Sequence, residues 1–382
     1  MIKVIFDKNQ LIEAVGYALC AVSERNTLKA LEGILFECQG HDTCVMSTYD
    51  MEKGVRQEIP AVIEEAGSFI VNANKLYRII RTLSVPNVTI EIDDKNICRI
   101  SGGTTCFEMF SQPGKDFPGM PYLTGNNTFR MKVEFLKDMI NRVGHAIAAN
   151  DQRMALNGAF FQVSGGKLKL VATDGNRMAI RECACEETGL TTESGMPDLK
   201  FIVPGKTLTE LMKLMADDDV IEIATTRRHI MFFLQKMTFF SRLIDTEYLE
   251  YSRFLRAESP VTVYVSREAL LGAAERASLV TEERMVGQAK SRLKCSFEGE
   301  MLHVYADNLN GRVDDNIPIE KKGEDMFIAF NCRYLIDALR ACPQDSLKLS
   351  LSGPLMSMQI EGVDNDPDDN FLYMVLPIRI TQ

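Results

Sequence analysis

The sequence predicts an α+β protein built from one small domain repeated three times, each copy combining antiparallel sheet with two short helices. Two sets of landmarks lead there. A Phe-Ile start, a helical stretch and a strand of alternating apolar residues recur as FIVNANKLYRIIRTLSVPNVTIEI from Phe69, FIVPGKTLTELMKLMADDDVIEI from Phe201 and FIAFNCRYLIDALRACPQDSLKLSL from Phe327. From the Phe to the first strand residue (Val88, Val220, Leu347) takes 19, 19 and 20 positions, and the starts lie 132 and 126 residues apart. Independently, Leu11, Leu136 and Leu270 each follow an apolar strand residue (Phe6, Met131, Val265) by five positions and open a helical stretch. An Asp closing a strand comes 37 to 39 residues later, at Asp50, Asp174 and Asp307. A period this long exceeds a solenoid unit and matches a whole small domain. Turn formers gather at Pro113–Asn127 and Leu255–Pro260, which places the domains at 1–125, 126–256 and 257–382.

Within each third the order is strand, helix, strands, strand, helix, strands. Helices are expected at 9–20, 75–83, 134–144, 206–215, 267–276 and 333–340. Leu11, Ile12, Val15 and Leu19 keep helical spacing, as do Leu208, Leu211, Met212 and Met215. Apolar strand runs lie around Gly33–Phe36, Gly158–Phe161 and Leu293–Phe297, and Val88–Ile92 and Lys167–Val171 alternate with period two. Ser164-Gly165-Gly166 and Asp93-Asp94-Lys95-Asn96 are hairpin turns between adjacent strands, which makes the sheets antiparallel.

Composition narrows the function. No apolar run approaches the roughly 20 residues of a membrane span, and MIKVIFDKNQL alternates like a strand rather than a signal peptide. The ten cysteines lack paired metal spacing and are read as free thiols of a reducing cytoplasm, not disulfides. A net charge of −10 argues naively against nucleic acid, yet the six helical stretches are together net positive, and 75–83 carries Lys75, Arg78 and Arg81 with no acid. Gly205-Lys206-Thr207 resembles the end of a phosphate loop, but Lys200 stands where the loop needs a glycine. The four histidines stand apart, His229 and His303 on strands, and no catalytic motif surrounds them. The acidic stretch Asp364–Asn370 lacks the Gly and distal Glu of a calcium loop. The expectation is no catalytic residue, no metal and no cofactor.

Val171–Ile180 (VATDGNRMAI), preceded by Arg153-Met154-Ala155-Leu156-Asn157-Gly158, resembles the bacterial DNA polymerase III beta subunit, the sliding-clamp family, whose pattern is R-x-x-L-N-G followed by A-T-D-G-[HN]-R-[LM]-A. The ending Tyr373–Arg379 (YMVLPIR) is similar to that family's Y-x-x-M-P-[MI]-R carboxy terminus. Asp116-Phe117-Pro118, Ser23–Leu28 and Val203–Met215 match as well, so the resemblance spans all three thirds. It implies three domains of one fold in a crescent and two crescents closing head to tail into a homodimeric ring. Helices would line the hole and sheet would form the rim. Helices about 8–10 Å apart leave a hole wide enough for duplex DNA, so the ring slides as a processivity factor of the replicative DNA polymerase.

The same resemblance assigns sites. A pocket for short partner peptides, with a leading Gln and apolar residues, would involve Leu156, Thr173, Gly175, Asn176, Arg177, Met178, Leu249, Arg253, Phe254, Ser357, Met374, Val375, Leu376, Pro377, Ile378 and Arg379. Leu156, Met178, Val375 and Leu376 would form its apolar slot, and Arg177, Arg253 or Arg379 would hold polar ends. Duplex contacts would fall on Arg25, Asn74, Lys75, Arg78, Asn150, Met154 and Lys206, and ring-interface contacts on Phe107 and Leu279. Three departures stand out: Leu249 replaces a usual Pro, Asn74 replaces a frequent Arg, and Thr381-Gln382 extend the tail. Implied partners are nonspecifically bound duplex DNA, the polymerase, a clamp-loader ATPase, other peptide-motif replication and repair proteins and a second copy of the chain, with no membrane. The alternatives are a non-encircling oligomeric scaffold of the same fold, or an enzyme with an interdomain site.

Overall fold

The computed structural model describes all residues except 24–26, 41, 122–126, 189–197, 216–218, 256–257, 282–291, 309–310, 365–368 and 380–382. Six α-helices are found among the described residues: α1 (Lys8–Ala18), α2 (Ala73–Thr82), α3 (Val133–Gly144), α4 (Gly205–Leu214), α5 (Arg267–Thr281) and α6 (Cys332–Ala341). Each begins within two residues of its expected start. The starts of α1, α2 and α6 are set by the residue before: Asp7 Oδ1 accepts from the N–H groups of Asn9 and Gln10, Asn72 Oδ1 from Lys75 N, and Asn331 Oδ1 from Arg333 N. Such side chains satisfy N–H groups that the first turn leaves without partners.

The chain divides into two compact units, the first chiefly Met1–Val133 with Lys206–Leu243, the second chiefly Glu134–Glu186 with Ile244–Gln382. In the first unit, five antiparallel strands run in the order Val62–Glu65, Ile2–Asp7, Asn87–Ile92, Ile97–Gly102, Thr105–Phe110. A longer sheet passes through Gly67–Asn72, Gly33–Cys38, Thr43–Tyr49, Lys53–Pro60, Met237–Arg242, His229–Phe233, Val220–Thr225 and Asn127–Lys132. Main-chain pairing therefore joins the first sequence repeat to the second, Met237 opposite Gln57 and Ser241 opposite Lys53. The apolar faces of α1 and α2 close over this sheet, with Leu11, Val15, Leu76 and Ile80 packed among Phe6, Phe36 and Phe69. Phe36 and Phe69 stack with centroids 5.0 Å apart.

The second unit repeats the plan. Its nine-stranded sheet runs Leu199–Pro204, Gly158–Ser164, Lys167–Thr173, Arg177–Ala184, Asp369–Val375, Met358–Gly362, Ser346–Leu351, Val261–Ser266, Glu320–Lys322. A four-stranded sheet runs Arg312–Pro318, Met301–Asp307, Leu293–Glu298, Met326–Phe330. The Gly165-Gly166 hairpin takes the left-handed φ values, 61° and 75°, that its two-residue turn requires. The expected strand positions of His229 and His303 are found. Among the described residues no helix is long and apolar enough to cross a membrane.

One expectation is corrected. Cys38 and Cys44 are not free thiols: they face each other across the hairpin of Gly33–Cys38 and Thr43–Tyr49, with Cα atoms 4.3 Å apart, and form a disulfide. Direct cross-strand opposition brings the sulfurs together, which the sequence shows only once the register is known. The other eight cysteines are not disulfide-bonded.

Candidate functional site

The second unit builds a surface around the turn 174–177. Asp174 Oδ1 accepts from Asn176 N at 2.8 Å and Arg177 N at 3.0 Å, and the Thr173 hydroxyl donates to the Arg177 carbonyl at 2.6 Å. Gly175 sits at φ 87°, a conformation that costs an L side chain about 1–2 kcal/mol. A Cβ there would also lie 2.9 Å from Arg153 Nη2. The turn holds the chain end, because Leu376 N donates to the Asn176 carbonyl at 2.9 Å. Beyond it, Pro377 bridges to Phe330, Ile378 N donates to the Ala329 carbonyl at 2.7 Å, and Arg292 Nη1 donates to the Arg379 carbonyl at 2.6 Å.

Beside this turn lies an apolar floor. Strand Arg177–Ala184 pairs with Asp369–Val375 so that Met178 faces Met374, and both join Phe160, Val171, Ile180 and Ile202 in one cluster. Leu249, Tyr248 and Tyr251 pack against it, with Phe160 and Tyr248 stacked at 4.8 Å. Burial sorts the apolar candidates. Leu376 is 43% exposed and Phe254 53%, whereas Leu156, Met178 and Met374 are buried and Val375 is wholly so. Strand alternation puts Val375 on the opposite face from Met374. The exposed apolar candidates are therefore Leu376 and Phe254; Leu355 and Met356, in the loop before Ser357, are exposed as well.

Arg177 is held by contacts within the chain. Its Nε donates to Asp174 Oδ2 at 3.0 Å, its Nη1 to Asp337 Oδ2 at 2.6 Å, and its guanidinium lies 4.4 Å from the centre of the Tyr334 ring. Asp337 and Tyr334, both on α6, stand 157 or more positions away in sequence and carry no local signal of this role. A second polar group lies on the helix side. Arg181, only 3% exposed, and Arg142 both donate to Asp138, and Arg142 and the Tyr373 hydroxyl both donate to the Ala341 carbonyl. His145, edge-on to Tyr373, is pushed down to about 4, first by burial and then by the Arg177 charge.

The remaining candidates distribute as follows. On α2, Asn74, Lys75 and Arg78 are exposed beside Arg81, forming a basic helix face without an acidic residue. Lys206 is exposed at the start of α4. In the second unit Asn150 is exposed at φ 58° and Met154 is 58% exposed. Arg25 lies outside the described residues, as do most of the acidic stretch 364–370 and the tail beyond Arg379. Arg253 lies in the exposed 3-10 turn Tyr251–Phe254. Phe107 lies on Thr105–Phe110, an edge strand of its sheet, and Leu279 is 75% exposed on α5.

Comparison with known proteins gives these surfaces a family. Three models of the DNA polymerase III beta subunit match in tandem: its N-terminal domain at residues 2–121, its central domain at 130–250 and its C-terminal domain at 253–379. The chain belongs to the DNA polymerase III beta subunit family. The beta sliding clamp of Halalkalibacterium halodurans is 25% identical over 98% of this chain and 99% of its own length. That of Pseudomonas putida is 27% identical over 98% of both. Among solved structures, a putative DNA polymerase III beta subunit from Eubacterium rectale superposes with a TM-score of 0.90 at 28% identity, covering all of both chains. The Bacillus subtilis DNA polymerase sliding clamp gives 0.91 at 25% identity, again over both whole chains.

Proposed function

We propose that the chain is a DNA sliding clamp: a noncatalytic processivity factor that works as a homodimeric ring around duplex DNA in the cytoplasm. The carrying observation is the tandem of the three beta-subunit domain models, in order, between residue 2 and residue 379. Each third would be one clamp domain, divided at 1–125, 126–256 and 257–382. Ring closure is supported by two sheet edges. Strand Thr105–Phe110 pairs only with Ile97–Gly102, and Arg312–Pro318 only with Met301–Asp307, among the described residues. Open edges of this kind seek a partner strand, and a head-to-tail pair satisfies both. Phe107, and Leu279 at 75% exposure, would sit in that interface.

In this reading Asn74, Lys75, Arg78 and Lys206, with Arg25, Asn150 and Met154, face the duplex. Phosphate attraction without base contacts permits sliding. The surface around Leu376, floored by Met178 and Met374, receives peptides from the polymerase, the clamp loader and other replication proteins. Two measurements test the reading. Light scattering at micromolar concentration should give twice the 42.9 kDa chain mass; a monomer refutes ring closure. Once loaded, the protein should stay on circular duplex and run off the same DNA after linearisation. Equal retention on both refutes encirclement, because phosphate contacts do not sense ends.

A further inference from the structure

The first unit carries a copy of the turn that presents Leu376 in the second, with its chemistry reversed. Asp50 Oδ1 accepts from Glu52 N and Lys53 N at 2.9 and 2.7 Å, as Asp174 does from Asn176 and Arg177. Met51 takes φ 77° where Gly175 takes 87°. Arg242 N donates to the Glu52 carbonyl at 2.7 Å, as Leu376 N donates to the Asn176 carbonyl at 2.9 Å. Arg242 is thus the structural counterpart of Leu376.

The apolar floor beneath it is closed over by an aromatic ring. Gly54 stands in the place of Met178, and a Cβ on it would lie 2.2 Å from Phe240, whose ring fills that space and packs with Tyr49, Ala224 and Met231. Charge is what remains at the surface. Arg242 is exposed and pairs in register with His229, and Arg227 and Arg228 are exposed in the preceding turn. That turn is fixed, since the Thr226 hydroxyl accepts from Arg228 N at 3.3 Å and His229 N at 3.0 Å. None of the three guanidinium groups is ion-paired among the described residues. On the neighbouring turn Asp50 is occupied by two N–H groups and Lys53, and Glu52 is exposed but forms no ion pair with the three arginines. Arg242 and Arg228, after burial, hold the His229 imidazole below its ordinary value.

We propose that Arg227, Arg228 and Arg242 form a docking surface for an acidic peptide segment of a partner protein, the polar counterpart of the apolar surface around Leu376. The inference rests on reading that apolar surface as a peptide site. Guanidinium groups bind carboxylates through paired N–H donors. In a chain of net charge −10, three uncompensated cations on one turn and one strand end mark where an acidic segment is attracted rather than repelled. Nucleic acid fits less well. Tyr49, the aromatic residue of the turn, is 7% exposed and offers no stacking face, and one turn with one strand end is too short to track a phosphate backbone.

The test uses the full-length chain and three fluorescent probes at low salt: hexaglutamate, a short Gln-led apolar peptide and a duplex oligonucleotide. In the R227Q/R228Q/R242Q variant, hexaglutamate binding should weaken at least tenfold while the apolar peptide binds as to wild type. The corresponding triple Lys variant should recover part of the loss, which a merely structural role would not produce. If the Gln variant melts earlier than wild type, Arg242→Gln alone serves, its side chain being exposed, with a threefold or greater loss expected. Absent binding of hexaglutamate to wild type, or equal binding to the variant, overturns the proposal. So does a loss confined to the duplex probe, which makes the patch a nucleic-acid site. Failure of wild type to bind the apolar peptide instead overturns the reading of the Leu376 surface, and the hexaglutamate comparison still reports on the arginines.

Discussion

Replacing Leu376 with Ala separates the peptide surface from the fold beneath it. The side chain is 43% exposed in the free protein, so a bound peptide removes at most that share of it from water. Complete burial of a Leu side chain is worth about 1.5–3 kcal/mol. Scaled to 43%, the loss on truncation is about 0.6–1.3 kcal/mol, or roughly three- to ninefold in affinity. Leu376 holds its place through its backbone N–H, which the substitution keeps, so melting should not move. Met374→Ala behaves in the opposite sense. Met374 is 3% exposed within the sheet floor, and emptying that volume costs about 2–5 kcal/mol of stability. Anisotropy titration of a labelled Gln-led apolar peptide, with thermal melting of each variant, distinguishes the two. An affinity within twofold of wild type for Leu376→Ala, or a fall in its melting temperature as large as that of Met374→Ala, refutes the reasoning.

Gly175→Ala should destabilise the second unit by about 1–2 kcal/mol through its left-handed backbone, with more from the Arg153 contact; an unchanged urea midpoint contradicts it. Thiol titration of denatured, unreduced protein should find eight free groups and ten after reduction, since Cys38 and Cys44 are joined; ten without reductant removes the disulfide. His145 is pushed below its ordinary value, to about 4, so the folded state favours the neutral ring. Its contribution is complete above the unfolded value near 6.5 and is lost as pH falls to about 4. His145→Gln should flatten the melting-temperature profile across that window, and parallel profiles for variant and wild type rule this out.

The sequence carried the helices and the order of strands because both rest on local chemistry. Caps such as Asp7, Asn72 and Asn331 sit next to the turns they satisfy, and the periodicity of Leu11 or Leu76 reports the buried face directly. Sheet continuity between repeats was not legible. Met237–Arg242 pairs with Lys53–Pro60 across some 180 residues, and nothing in either strand names its partner. The same distance hid the cross-strand cysteines in a different way: six positions separate them, but only the register shows that they oppose one another.

The site divides along the same line. Asp174-Gly175-Asn176-Arg177 is visible as a motif because the turn needs an acceptor at its first position and a left-handed residue at its second. What the motif does with its arginine is not visible, because Asp337 and Tyr334 reach it from another repeat. Arg177, bonded to Asp174 and Asp337, braces the turn whose Asn176 carbonyl holds Leu376 N. The triplication sharpens this contrast. The same Asp-led turn in the first unit presents Arg242 over a floor closed by Phe240, so one backbone frame supports an apolar surface in one unit and a basic one in the other. The repeat fixes where a strand end offers a side chain, and in the proposed reading the residues at Met178 or Gly54, and at Leu376 or Arg242, set which partner chemistry that side chain would meet.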